Sequence, residues 1–155
     1  NISISTAGII DGIEKFAKEG TQINLAISLH APNNELRSRL MPINKRYHLE
    51  RVLDAVNNYI KKTKRQVMFE YLLIKDINDT DANARDLARI MKNPLYYVNL
   101  ILYNPTMGNS FRPSTTERVK KFKEILKKNK IVFSQRFRFG TDIKAACGQF
   151  AGEKS

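Results

Sequence analysis

The feature that most constrains this chain is a repeated alternation between short, apolar runs and segments whose apolar residues recur at helical spacing. Val67-Met68-Phe69-Glu70-Tyr71-Leu72-Leu73 is the clearest run of the first kind and predicts a strand buried on both faces. Leu49, Val52, Leu53, Val56, Tyr59 and Ile60 form the clearest helical stripe, which predicts a helix running to about Thr63. The same reading places a strand over residues 1–5, then a helix carrying Ile9, Ile13, Phe16 and Ala17 with Gly20 as its stop. A second strand follows, with Ile23, Leu25, Ile27 and Leu29 on one face and Asn24, Ala26, Ser28 and His30 on the other. A basic connector through Arg37, Arg39, Pro42, Lys45 and Arg46 leads into the long helix. Beyond the third strand, Asn78-Asp79-Thr80-Asp81 opens a helix that continues through Ala84, Leu87, Ala88 and Met91. Residues 98–103 form a fourth strand, ended by Asn104-Pro105 and a long loop. Ser114 and Glu117 make a capping box for a helix striped by Val119, Phe122, Ile125 and Leu126, and residues 131–139 form a fifth strand.

Five such strands separated by four helical segments predict right-handed βαβ units and a parallel sheet. The expected class is α/β: a partial (β/α) barrel of about five parallel strands, in one domain over residues 1–155. An open doubly wound sheet fits the same pattern. The chain begins with Asn1 rather than Met and reads as strand at once, which predicts a piece of a longer protein.

Charge narrows the partners. Lys and Arg number 27 against 15 Asp and Glu, a net +12 that favours polyanions, nucleic acid foremost. No run approaches the roughly 18 apolar residues of a membrane span. With one cysteine, Cys147, no internal disulfide can form, and a reducing cytoplasm is expected.

Ligands of parallel α/β proteins bind at the carboxyl ends of the strands, where loops and helix N-termini converge. Ser5 closes the first strand, Ser28 and His30 the second, and Asn104 the fourth, with Glu70 inside the third. A single strand-end Ser or Asn is usually a turn former or helix cap, but four at one rim suit a large polar ligand with amino, carboxylate and ribose groups. No His, Cys or carboxylate cluster has the spacing of metal ligands. His48 is expected in solvent. Cys147 follows the last strand among small and polar neighbours, so it reads equally as an inert thiol or an accessible nucleophile. The lysines of the last helix read as a solvated face, whereas Arg37, Arg39, Lys45, Arg46, Arg136 and Arg138, with Tyr47 and Tyr103, are candidates to hold phosphates and stack a base.

Taken together, Ser5-Thr6-Ala7-Gly8, Ser28-Leu29-His30-Ala31-Pro32, Met41-Pro42-Ile43-Asn44, Tyr103-Asn104-Pro105 and Ala145-Ala146-Cys147-Gly148-Gln149 resemble the C-terminal half of RlmN-type adenine methyltransferases. The relative Cfr shares most of these segments. The resemblance runs in order over essentially all 155 residues. It implies a barrel of the radical S-adenosylmethionine type and a methyltransferase acting on adenine C2 in 23S ribosomal RNA and in transfer RNA. By matching position, Ser5, Ser28, Leu29, His30 and Asn104 would contact S-adenosylmethionine. Cys147 would carry the methyl group. A [4Fe-4S] cluster, with ligands upstream, and an electron donor for it are implied as well, in a cytoplasmic protein that is monomeric at full length. The CxxxCxxC and Gly-Met-Gly-Glu segments of the family are absent from these residues, so this stretch alone is expected to be inactive. Thr141 and Lys144 stand where many members carry acidic residues. Glu70-Tyr71 matches RlmN, while Cfr tends to have a small residue there, which sets C2 ahead of C8. A catalytically silent RNA-binding remnant and an unrelated half-barrel enzyme acting on sugar phosphates are the competing readings.

Overall fold

The computed structural model describes residues 2–105 and 109–136. Five strands, β1 (Ser3–Thr6), β2 (Asn24–Ser28), β3 (Val67–Leu73), β4 (Tyr96–Leu102) and β5 (Phe133–Arg136), form one sheet in the order β1-β2-β3-β4-β5. Every neighbouring pair is parallel. The helices among the described residues are α1 (Ile10–Phe16), α2 (Asn34–Leu40), α3 (Leu49–Thr63), α4 (Asp81–Ile90) and α5 (Thr116–Lys128).

This order separates the two architectures that periodicity leaves open. A doubly wound sheet reverses its strand order and covers both faces, whereas right-handed crossovers that always step to the next strand put every helix on the same face. Here Leu25, Ile27, Val67, Phe69, Tyr71, Leu73, Val98 and Leu100 join one core with Ile13 of α1, Val52 and Val56 of α3, Leu87 of α4 and Phe122 and Leu126 of α5. The sheet is singly wound, as in a partial (β/α) barrel, and it is not closed: β1 and β5 are its edges. On the opposite face the alternate residues Met68, Glu70 and Leu72 are only half-buried, so β3 alternates rather than being sealed on both sides.

Several local expectations change. The basic connector contains α2 and a short 3-10 turn, Pro42–Lys45, giving five α-helices where the apolar spacing predicts four helical segments. At seven residues, α2 is too short for a periodic stripe, and it is started by Asn33, whose side chain accepts from the Leu36 amide. Thr115, rather than Ser114, caps α5, accepting from the Arg118 amide at 3.2 Å. Ser114 instead donates to Asp79 Oδ2 at 2.7 Å. Thr80 caps α4 in a reciprocal box with Asn83, as the Asn-Asp-Thr-Asp cluster suggests. The last three residues of the predicted fifth strand, 137–139, lie outside the described residues.

The turn after β1 is fitted tightly to the rest. Gly8 has φ +96°, and a Cβ there would lie 3.1 and 3.2 Å from the Val52 methyl groups and 3.3 Å from Arg37 Nη2. Only glycine allows both that backbone and the close approach of α3 and Arg37.

Candidate functional site

Strand register sets a polar row across the face opposite the described helices. Ser28, Glu70, Asn99 and Ser134 are successive partners on β2, β3, β4 and β5. Ser5 joins from β1, donating to Glu70 Oε2 at 3.0 Å, and Ser28 donates to the same oxygen at 3.5 Å. Ser134 donates to Asn99 Oδ1 at 3.2 Å. A hydroxyl has one proton. With both serine protons aimed at Glu70, the free lone pairs of Ser5 and Ser28 and the second carboxylate oxygen make this end of the row a set of acceptors. It suits a ligand that brings N–H or O–H donors, such as an ammonium or ribose hydroxyls.

His30 ends the β2 side of the rim in a left-handed conformation, φ +57°. The β2–β3 ladder finishes where the amides of Leu29 and His30 both donate to Glu70 O, at 3.0 and 3.2 Å. Because β3 runs on beyond β2, the Leu72 amide has no backbone partner there and donates to His30 Nδ1 at 3.0 Å. Asn78 closes the gap with its whole side chain. Its Nδ2 donates to His30 O at 2.7 Å and Leu72 O at 2.6 Å, and its Oδ1 accepts from the Ile74 amide at 2.8 Å. Leu29 is fully buried, with its carbonyl accepting from Arg37 Nε at 3.2 Å. Asn104 is half-buried just past β4 on the same rim, and Cys147 lies outside the described residues.

Burial of His30, reinforced by the charge of Arg37, lowers its pKa from 6.5 to about 4. The neutral ring, needed to accept at Nδ1, is therefore the folded form. Since the folded value lies below the unfolded one, the contribution of His30 to stability is complete above pH 6.5 and is lost as pH falls towards 4. In that window the loss is up to about 1.4 kcal/mol per pH unit. Urea midpoints measured across that range should fall more steeply for the wild type than for His30→Asn; equal slopes would show that His30 is not held neutral.

Sequence reasoning placed Arg37 among phosphate-holding cations, and the structure corrects this. Arg37 is completely buried and donates to Ala7 O (2.8 Å), Ser28 O (3.0 Å), Leu29 O and Asn44 Oδ1 (2.8 Å). Burial lowers its pKa, and no carboxylate is among its partners. Tyr47 and Tyr103, proposed to stack a base, are also buried, at 8% and 7% exposure. Arg39, Lys45, Arg46 and Arg136 are exposed, as is His48, while Arg138 lies outside the described residues. Five of the six lysines of and after α5 are exposed and Lys123 is half-buried, which fits a solvated face. Sequence reasoning missed the structural work of Asn78, Asn44 and Glu70. The only signal was a polar side chain at the end of, or inside, an otherwise apolar run.

No group of three or more His, Cys, Asp or Glu side chains among the described residues could hold a metal ion. No family model matches the chain. The chain is 50% identical over 153 residues to a probable dual-specificity RNA methyltransferase RlmN from Malacoplasma penetrans, covering 99% of this chain and 43% of that protein. The crystal structure of a radical SAM methyltransferase from Sphaerobacter thermophilus matches with a TM-score of 0.92 at 45% identity, over 96% of this chain and 43% of that one. The chain is RlmN-like. This RlmN-like chain spans less than half the length of the curated relatives it matches. A domain of pyruvate-formate lyase-activating enzyme from Bacteroides vulgatus, at 12% identity and a TM-score of 0.64, shares the fold alone, over 87% of the RlmN-like chain. The likeness to the Sphaerobacter methyltransferase is that of a radical SAM fold, five parallel strands alternating with helices. None of the described helices is long and apolar enough to cross a membrane.

Proposed function

We propose that this chain forms the part of a radical S-adenosylmethionine RNA methyltransferase that binds the methyl donor at the carboxyl rim and, through Cys147, passes the methyl group to C2 of an adenine in 23S ribosomal RNA and in transfer RNA. The carrying observation is the 50% identity to an RlmN protein over 99% of the chain. The rim supports it. Ser5, Ser28, Leu29, His30 and Asn104 would hold S-adenosylmethionine, and the acceptors gathered around Glu70 fit the ammonium and ribose hydroxyls of such a ligand. When bound, S-adenosylmethionine supplies an electrophilic methyl group and, with a reduced cluster, the radical chemistry that an unactivated aromatic carbon requires.

The chain's own residues do the positioning. Glu70 accepts from both serine hydroxyls, burial holds the His30 ring neutral while it accepts from the Leu72 amide, Asn78 anchors the His30 backbone, and Arg37 ties the turn after β1 to the end of β2. The described residues do not fit a [4Fe-4S] cluster, whose ligands belong in the part of the relatives that this chain does not span. An electron donor and a cytoplasmic, monomeric full-length protein complete the reading.

The complete gene product, isolated with its cluster, should transfer label from S-adenosylmethionine carrying a deuterated methyl group into ribosomal RNA from a strain lacking the modification. Nucleoside mass spectrometry is expected to find labelled 2-methyladenosine. Labelled 8-methyladenosine would move the assignment to the Cfr-like reaction, and no labelled nucleoside at all would overturn the methyltransferase reading.

A further inference from the structure

Two loops rise from the carboxyl ends of β3 and β4 on the same rim and enclose a cleft of about 260 Å³ lined by Lys75, Asp76, Ile77, Ser110, Phe111 and Arg112. They are cross-braced. Ile74 bridges Pro113, the Lys75 amide donates to Arg112 O at 2.9 Å, and Ser114 donates to Asp79, which also accepts from the Asp76 amide at 3.0 Å. Asn78 fastens the first loop to His30, beside the proposed donor site.

The second loop presents a partly exposed aromatic side chain to the cleft. Phe111 is 37% exposed, and it is the one exposed Phe or Tyr among the described residues. The Tyr103 ring meets it at 84°, with centroids 6.0 Å apart. Tyr103 OH and the Phe111 amide both donate to Asn109 Oδ1, at 2.7 and 3.1 Å. Phe111 also lines the cleft, so part of its side chain faces a space that takes a planar partner. Lys75 and Arg112 flank it, and neither forms an ion pair among the described residues.

An acidic peptide would use the two cations but not the aromatic ring; a single-stranded nucleic acid uses both, because every base has a face to stack and every linkage a phosphate. Asp76 disfavours a phosphate at the centre of the cleft and suits a donor such as a ribose hydroxyl. We propose that this cleft is a docking platform for RNA beside the methylated adenine, with Phe111 stacking on a neighbouring unpaired base and Lys75 and Arg112 holding the adjacent phosphates. The proposal rests on the RNA methyltransferase reading and specifies where the substrate strand lies.

The test is binding of a stem–loop RNA with an unpaired adenine and unpaired neighbours to the complete, cluster-loaded protein, followed by fluorescence anisotropy at several salt concentrations. Phe111→Ala and Phe111→Leu should each weaken binding by roughly 10-fold, with Phe111→Tyr close to wild type. The same RNA with the neighbouring base removed should bind the wild type and Phe111→Ala alike. Lys75→Gln and Arg112→Gln should each reduce the slope of log K against log salt by roughly 0.7. If the wild type binds and methylates RNA while all these variants match it in affinity and slope, the platform is wrong and the enzyme reading stands. A wild type that binds no RNA at any salt concentration overturns both.

Discussion

Replacing Arg37 with Met is expected to destabilise the protein by about 3–5 kcal/mol, among the largest effects of any single substitution outside the hydrophobic core. Methionine fills most of the space but donates nothing. Leu29 O and Asn44 Oδ1 would be left buried without a donor and Ala7 O and Ser28 O part-buried without one, and each unsatisfied buried acceptor costs about 1–3 kcal/mol before relaxation. Relaxation recovers part of that sum. Arg37→Lys should lose less, since an ammonium can still serve some of these acceptors, but it lacks the planar fork that reaches all four. Urea denaturation decides the matter: an unfolding free energy within ~0.5 kcal/mol of wild type would show that Arg37 is an ordinary surface cation. Because the guanidinium joins the turn after β1 to the end of β2, the same substitution should also weaken S-adenosylmethionine binding, in a direction that follows the loss of rim geometry.

Cys147→Ser should abolish RNA methylation by the complete protein, a loss on the order of a million-fold if the sulfur is the obligatory nucleophile. In the proposed step the Cys147 thiolate forms a bond to the methyl carbon while the sulfonium–carbon bond breaks and its electron pair returns to the departing thioether. A serine hydroxyl is far more weakly acidic and does not supply the equivalent anion at neutral pH. Peptide mass spectrometry of active wild-type protein should find a methyl group on Cys147. Activity in Cys147→Ser, or an unmodified Cys147 in fully active enzyme, would remove the cysteine from the mechanism.

The parts of the fold legible in the sequence are those governed by neighbours along the chain. The stripe from Leu49 to Ile60 becomes α3, Leu49–Thr63, and residues 67–73 become β3 as predicted, because periods of 3.6 and 2 are properties of the local chain. Thr80 is legible as a cap for the same reason. The short helix α2 is not, since seven residues hold too few repeats to rise above the charges of the connector. In the candidate site, Ser5, Ser28, His30 and Asn104 stand out because polar residues close apolar strands, and the structure gathers them at one rim. Their partners are invisible from the sequence: Ser5 and Glu70 are 65 residues apart, and His30 and Asn78 are 48 apart.

The sequence by itself determined that this chain alternates strand and helix, that its sheet is parallel, and which polar residues close its strands. Only the tertiary structure decided that the sheet is wound in one direction, that Arg37 is a buried clamp, and that Phe111 rather than Tyr103 is the ring left to solvent. The reason is physical: periodicity and capping are set within a few residues, whereas strand order, burial and hydrogen-bond partners depend on which distant segments pack together. An arginine or a tyrosine carries the same chemistry in the sequence whether its surroundings are water or four backbone and side-chain oxygens.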